Sequence, residues 1–205
     1  MPINRFVLAA ALAGFACVSI PTGSIAQPAT QSPAVQTFPY RLVAAARAQT
    51  ATFALYTPAY VKIPYPDGDV PAHTGVCTDV IVRAYRALGI DLQAEIHNAG
   101  VGSGDTSIDH RRVEVQRKFF ALKGMILPVS QNAKDYAPGD IVSFFLPPGG
   151  ASRTHVAIVS DKVSATGAPL IIHNRGQGVQ EEDWLFTWKI TGHYRYSPPV
   201  KPQGN

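Results

Sequence analysis

Gly75-Val-Cys-Thr-Asp-Val-Ile-Val-Arg-Ala-Tyr-Arg-Ala-Leu-Gly89 reads as a helix with a cysteine at its entrance. Cys77, Ile81, Ala84 and Leu88 recur at the i, i+4, i+7, i+11 spacing of one buried helical face, whereas Asp79, Arg83 and Arg86 point elsewhere. Gly89 supplies the C-terminal stop. In the first turn, unpaired amides and the partial positive charge of the helix end stabilise a thiolate, the nucleophilic form of cysteine. The same amides suit the oxyanion that forms when a carbonyl is attacked.

Upstream of that helix, the stretch from Thr57 to Thr74 holds Pro58, Pro64, Pro66 and Pro71, which exclude a regular helix and mark a surface loop. From Tyr40 to Tyr56, Leu42, Val43, Ala45, Ala46 and Phe53 lie among good helix formers, so a first helix is expected there. Gln27 to Thr37, rich in Ala, Gln, Pro, Ser and Thr, reads as a flexible linker. Before it, one positive charge at Arg5, an apolar run of about 15 residues from Phe6 to Ile20 and a Ser-Ile-Ala ending form a secretory signal peptide, with cleavage after Ala26. The run is shorter than the roughly 20 residues of a membrane span. Lipidation at Cys17 is the weaker reading, because Phe15 stands where a small residue is required. These features place the mature protein in the periplasm or outside the cell.

Downstream, Asn98 to Ser107 is Gly-rich and loop-like, and a helix opens near Asp109 and runs through Val113, Val115, Phe119, Phe120 and Leu122 to Gly124. After Pro138-Gly139-Asp140 the period changes. Ile141 to Leu146, His155 to Ser160, Leu170 to His173 and Ile190 to Tyr196 are short apolar or β-branched runs between turn residues. Helices first and an antiparallel sheet second make an α+β domain over residues 38–197, followed by a disordered tail at 198–205.

Of the two cysteines, Cys17 departs with the leader, so the mature chain carries Cys77 alone in an oxidising compartment. An unpaired thiol there invites nucleophilic chemistry or an intermolecular disulfide; the alternative is a buried, inert cysteine. A cysteine nucleophile requires a histidine within hydrogen-bond reach and a third polar group to hold that histidine. Thr154-His-Val-Ala-Ile-Val159 opens one strand with a histidine, and Leu170-Ile-Ile-His-Asn174 ends the next with another. Adjacent antiparallel strands bring His155 and His173 side by side opposite the Cys77 helix. Asn174 is the rival for the third position, but strand parity turns it to the opposite face from His173.

The order of a cysteine helix, Pro-Gly-Asp before an apolar strand, His-Val-Ala-Ile-Val and Ile-Ile-His resembles the NlpC-type, papain-like cell-wall cysteine peptidases. The resemblance implies a nucleophilic Cys77, a base at His155 and a third group at His173. It also implies an oxyanion role for a tyrosine twelve residues before the cysteine in a Tyr-x-x-Gly context, here Tyr65 with Gly68. Gly75-Val-Cys-Thr-Asp-Val, Ile108-Asp-His-Arg-Arg-Val, Tyr136-x-Pro-Gly-Asp-Ile-Val, Pro169-Leu-Ile-Ile-His-Asn and Trp188-Lys-Ile-Thr-Gly-His-Tyr-Arg-Tyr resemble more closely the domain-of-unknown-function family DUF1287, from about Tyr40 to Tyr196. The chain departs from the NlpC pattern in having Thr78-Asp79 after the cysteine and an intervening helix bearing Asp109-His-Arg-Arg112. Arg111 and Arg112, with Asp79 beside them, are the candidate substrate-binding charges, since guanidinium grips carboxylates such as those of D-glutamate or diaminopimelate at two points. The alternative is that the arginines pair with Asp79 or Asp109 and fasten the inserted helix.

Other readings are narrower. Asp140 caps a turn, and Trp184 and Trp188 are core or groove lining. His73, His97 and His110 with Asp109 match no compact metal-ligand spacing. No Gly-rich phosphate loop follows a strand, so no cofactor is expected. The full chain has 18 basic and 14 acidic residues, a net charge of +4. This falls to about +3 once Arg5 is removed, and it lacks the clustered footprint of a nucleic-acid binder. The expected activity is metal-independent hydrolysis of an amide or peptide bond in peptidoglycan stem peptides by a monomer. An acyltransferase with the same triad, or a non-catalytic cell-wall binding protein on a decayed peptidase fold, are the alternatives.

Overall fold

The computed structural model describes residues 37–149 and 152–198. The expected signal peptide, nearly all of the linker and nearly all of the tail lie outside the described residues. Pro39 sits in the first turn of α1 (Phe38–Ala48), where its missing N–H costs nothing. Leu42, Val43 and Ala46 form the buried stripe of α1. The first helix is shorter than expected: a 3-10 turn at Gln49–Ala51 ends it, and Leu55–Tyr56 becomes β1. β1 pairs in parallel with β2 (Thr74–Gly75), so the proline-rich loop between them is closed at its base.

α2 (Cys77–Arg86) follows at once, and Gly89 after it takes a left-handed φ of 79°. The sequence reading left out α3 (Leu92–Ala99), although its Asp91 side chain accepts from the Gln93 amide and Gly100 closes it in the left-handed region. Asp109–Arg111 forms a separate 3-10 turn rather than the start of the following helix, α4 (Val113–Lys123).

The remaining strands are β3 (Met125–Ile126), β4 (Ile141–Phe145), β5 (Thr154–Val163), β6 (Pro169–Asn174), β7 (Val179–Glu182) and β8 (Lys189–Arg195). They form one antiparallel sheet in the order β3-β8-β4-β5-β6-β7. The architecture is the α+β plan of N-terminal helices packed on an antiparallel sheet. Strand alternation divides the core in two. Val156, Ile158 and Ile172 join Leu42, Ile81, Tyr85, Phe119 and Phe120 between sheet and helices. Val142, Phe144, Ala157, Val159 and Ile171 face the other way, against Leu185, Ile190, Trp184 and Trp188.

At the turn into β4, buried Asp140 accepts from the Ala137 amide, from His193 Nε2 at 2.8 Å and from Arg195 Nε at 2.7 Å. It ties this turn to β8, so its role is structural. No helix among the described residues is long and apolar enough to cross a membrane.

Candidate active site

Val76, the residue that caps α2, is extended, and its amide donates to Asp79 Oδ2 at 2.7 Å. Cys77 thus opens the helix with a fixed orientation, 3% exposed, against β5. Burial pushes its thiol up to about 12, and nearby Asp79 adds to the rise; the amides of Val156, Thr78 and Cys77 offset this in part. The expected resting thiolate is therefore not what this environment favours. The cost of removing a charge from water exceeds the help of the helix end, and the group rests as a thiol.

His155 and His173 stand on neighbouring strands, and His155 Nε2 lies 2.8 Å from His173 Nδ1. His173 Nε2 lies 2.9 Å from Glu182 Oε2 on β7. The direction of these bonds follows from valence. The Glu182 carboxylate only accepts, so His173 Nε2 carries a hydrogen and donates. Burial lowers the pKa of both imidazoles; His173 is pulled back up in part by Glu182, and each ring is lowered further by neighbouring positive charge. Neutral His173 then has a bare Nδ1, which accepts from His155 Nε2. Neutral His155 in turn has its lone pair on Nδ1, which makes no hydrogen bond among the described residues. The relay therefore leaves one imidazole lone pair open. Trp188 packs edge-on to both rings at 5.6 and 5.9 Å, and Trp184 lies 4.5 Å from Trp188, so the imidazoles have little rotational freedom.

Two half-clefts meet here. One, of 510 Å³, is lined by Cys77, Thr78, Tyr56, Tyr60, Arg112 and Thr154. The other, of 470 Å³, is lined by His155, Tyr56, Arg175, Trp184, Trp188 and Leu146. Tyr56 and Ser152 belong to both and form the shared wall. No hydrogen bond joins Cys77 to His155 among the described residues. The link between them is the backbone, since the Val156 amide that meets the sulfur directly follows His155.

The pattern of a family described as a domain of unknown function, DUF1287, matches residues 43–196. The chain belongs to the DUF1287 family. YijF, an uncharacterised protein of Escherichia coli K12, is 44% identical over 163 residues, covering 74% of this chain and 78% of that protein. Among solved structures, NlpC1 and NlpC2 from Trichomonas vaginalis are similar at TM-scores of 0.47 and 0.46, with 19% and 21% identity. The matches cover 79% and 80% of this chain but 46% and 48% of those, so the DUF1287 chain spans about half their length.

Not every candidate residue of this DUF1287 chain meets at the cleft. Tyr65 is 43% exposed, packs on His97 of α3 at 5.1 Å and lines neither half-cleft. Tyr56 takes the place beside Cys77, because the parallel pairing of β1 with β2 brings it to the entrance of α2. Burial, then the neighbouring Cys77 and Asp79, hold its proton on well above the usual phenol range, so it is a hydrogen-bond donor. Asn174 is turned away from the imidazoles: its amide donates to Ala54 O at 3.3 Å and Gly75 O at 3.4 Å, clamping the β1–β2 junction.

Asp79 and Arg111 are engaged with each other, although Arg111 also forms part of the wall of the Cys77 half-cleft. They pair with each other through two bonds of 2.8 and 3.0 Å, with their side chains 3% and 2% exposed. The arginine fastens the inserted 3-10 turn to α2, the alternative weighed above. Arg112 differs: it is exposed, lines the Cys77 half-cleft, and its guanidinium donates no hydrogen bond among the described residues. Sequence reasoning missed Tyr56, Glu182 and Arg175. Glu182 lies in the polar run Gln180-Glu-Glu182 of an edge strand, which carries no period, and Tyr56 and Arg175 had no signal apart from their aromatic and cationic types. Among the described residues no group of three or more His, Cys, Asp or Glu is placed to hold a metal.

Proposed function

We propose that the protein is a secreted or periplasmic thiol hydrolase that cleaves an amide or peptide bond in peptidoglycan stem peptides. Cys77 is the nucleophile and His155 the general base. His173, backed by Glu182, is the positioning group. The supporting observation is the buried His155–His173–Glu182 relay, whose valence leaves an open lone pair on His155 one residue from the amide that meets the Cys77 sulfur.

Burial disfavours the Cys77 thiolate, so attack is coupled to transfer of the thiol proton. The sulfur bonds the carbonyl carbon as its proton passes to His155 Nδ1. The tetrahedral oxyanion accepts from the Tyr56 hydroxyl and from backbone amide at the α2 entrance. Collapse breaks the C–N bond, and the departing amine takes the proton from Nδ1. Water then gives its proton to Nδ1, attacks the thioester and releases the acid, restoring the thiol. Cys77 packs with Val156 on the helix side of β5 while His155 packs with Phe144 and Trp188 on its other side, so attack requires that substrate binding close the gap between sulfur and Nδ1 at the shared wall; catalytic hydrogen bonds commonly tighten only in the complex.

The leader-like N-terminus and mild positive charge support an anionic extracytoplasmic polymer as substrate. Cys77→Ala should abolish release of peptide fragments from purified peptidoglycan while the circular dichroism spectrum and melting temperature stay within a few degrees of wild type. Undiminished fragment release by that variant refutes the assignment.

A further inference from the structure

We propose that Arg175, stacked on Trp184, reads a carboxylate on the fragment that departs from the scissile bond, so that substrates end in a free carboxylate within one or two residues of it. The proposal rests on the hydrolase reading above and adds the substrate's direction and its terminal chemistry.

Direction comes from proton transfer. The acyl fragment stays bonded to Cys77, in the half-cleft with Tyr60 and Arg112. The amine must take its proton from His155, so it leaves through the half-cleft lined by His155, Arg175, Trp184 and Trp188. In peptide hydrolysis the amine fragment is the C-terminal one, and its last residue carries a carboxylate.

Arg175 is shaped for that group. It follows β6 directly and is exposed, with its guanidinium carbon 3.9 Å from the Trp184 ring centroid. Stacking of this kind holds the planar fork in one orientation before a ligand arrives. Its Nε lies 3.9 Å from Glu182 Oε2, beyond hydrogen-bond range, and that oxygen is already occupied by His173 Nε2 at 2.9 Å. Arg175 donates no side-chain hydrogen bond among the described residues, so its N–H groups are available to a carboxylate. The nearby Glu182 keeps the guanidinium close to the relay without consuming it, and the 470 Å³ half-cleft is large enough for a short C-terminal fragment. Apart from His155 the remaining lining is aromatic, aliphatic, hydroxyl-bearing or glycine, so among the described residues Arg175 is the guanidinium of this half.

The test uses the full-length protein carrying Cys77→Ala, which binds without turnover, and a synthetic peptidoglycan stem tetrapeptide with its C-terminal carboxylate free or amidated. Calorimetry should show the free acid binding about tenfold more tightly than the amide. Arg175→Gln in the same background should erase that difference, and Arg175→Lys, which keeps charge but loses the fork, should leave part of it. With Cys77 intact, Arg175→Gln should slow thioester formation more than thioester hydrolysis, since the departing fragment has gone by the second step and only the charge beside the imidazoles still changes. Equal binding of acid and amide, full discrimination by Arg175→Gln, or no measurable binding of the free acid overturns the proposal. Peptidoglycan turnover by the wild-type protein is read separately and alone decides whether the chain is a hydrolase.

Discussion

Asp79→Ala separates a structural role for the Asp79–Arg111 pair from a role in binding substrate. Both side chains are almost wholly buried, and the guanidinium makes its two short bonds to this carboxylate, with one longer contact at 3.4 Å to Ala59 O. Removing Asp79 strands a positive charge in the interior, which costs about 3–5 kcal/mol. The Val76 amide also loses its acceptor at the start of α2, a further ~1 kcal/mol. The sum, about 4–6 kcal/mol, is a large share of the roughly 5–15 kcal/mol that stabilises a domain. At ~2–4 °C per kcal/mol for a chain of this size, the melting temperature should drop by roughly 10–20 °C. Urea unfolding monitored by tryptophan fluorescence gives the free energy directly. The double replacement Asp79→Leu with Arg111→Met should recover most of the loss, because an apolar pair of similar volume leaves no charge stranded. A loss below about 1 kcal/mol for Asp79→Ala, or a double variant as unstable as the sum of the singles, refutes the reasoning and returns the pair to the substrate site.

Three more outcomes follow from the same geometry. With the thiol near 12, alkylation of Cys77 by iodoacetamide should accelerate roughly tenfold per pH unit from pH 6 to 10; a plateau near neutral pH would show a thiolate instead. Glu182→Gln permits the opposite His173 tautomer and should lower turnover on peptidoglycan by about 10²-fold or more with little change in melting temperature; unchanged turnover would remove Glu182 from the relay. Glu181 is held down at about 2 from 4.5, burial opposing and Arg47, Lys162 and Ser160 lowering it. A depressed carboxylate contributes stability that is complete above pH 4.5 and is lost as pH falls towards 2, so Glu181→Gln should flatten the decline of melting temperature in that window; an unaltered slope would count against the pairing.

Residues whose neighbours are close in sequence were legible before any coordinates. The i, i+4, i+7 stripe placed Cys77 at the start of α2, and the apolar runs that open with His155-Val156 and close with Ile172-His173 gave β5 and β6 and their shared face. What was hidden depends on distant partners. Which of Asp79 and Asp109 takes Arg111 is settled only across 32 positions, and Tyr56 reaches Cys77 through a two-residue parallel pairing that no periodicity reveals. α3 escaped notice because Gln93, Glu95, His97 and Asn98 dilute its apolar stripe, although Asp91 and Gly100 marked both ends. The surroundings of Cys77 were hidden for a related reason: the helix end is a local feature, while the burial that pushes the thiol up comes from the whole fold.

His173 and Asn174 are consecutive residues on β6 facing opposite ways. One holds the His155 ring; the other grips Gly75, two positions before Cys77. A single peptide unit therefore sits between the supports of base and nucleophile, like the bridge of a caliper. A displacement of β6 would therefore carry the supports of both groups with it.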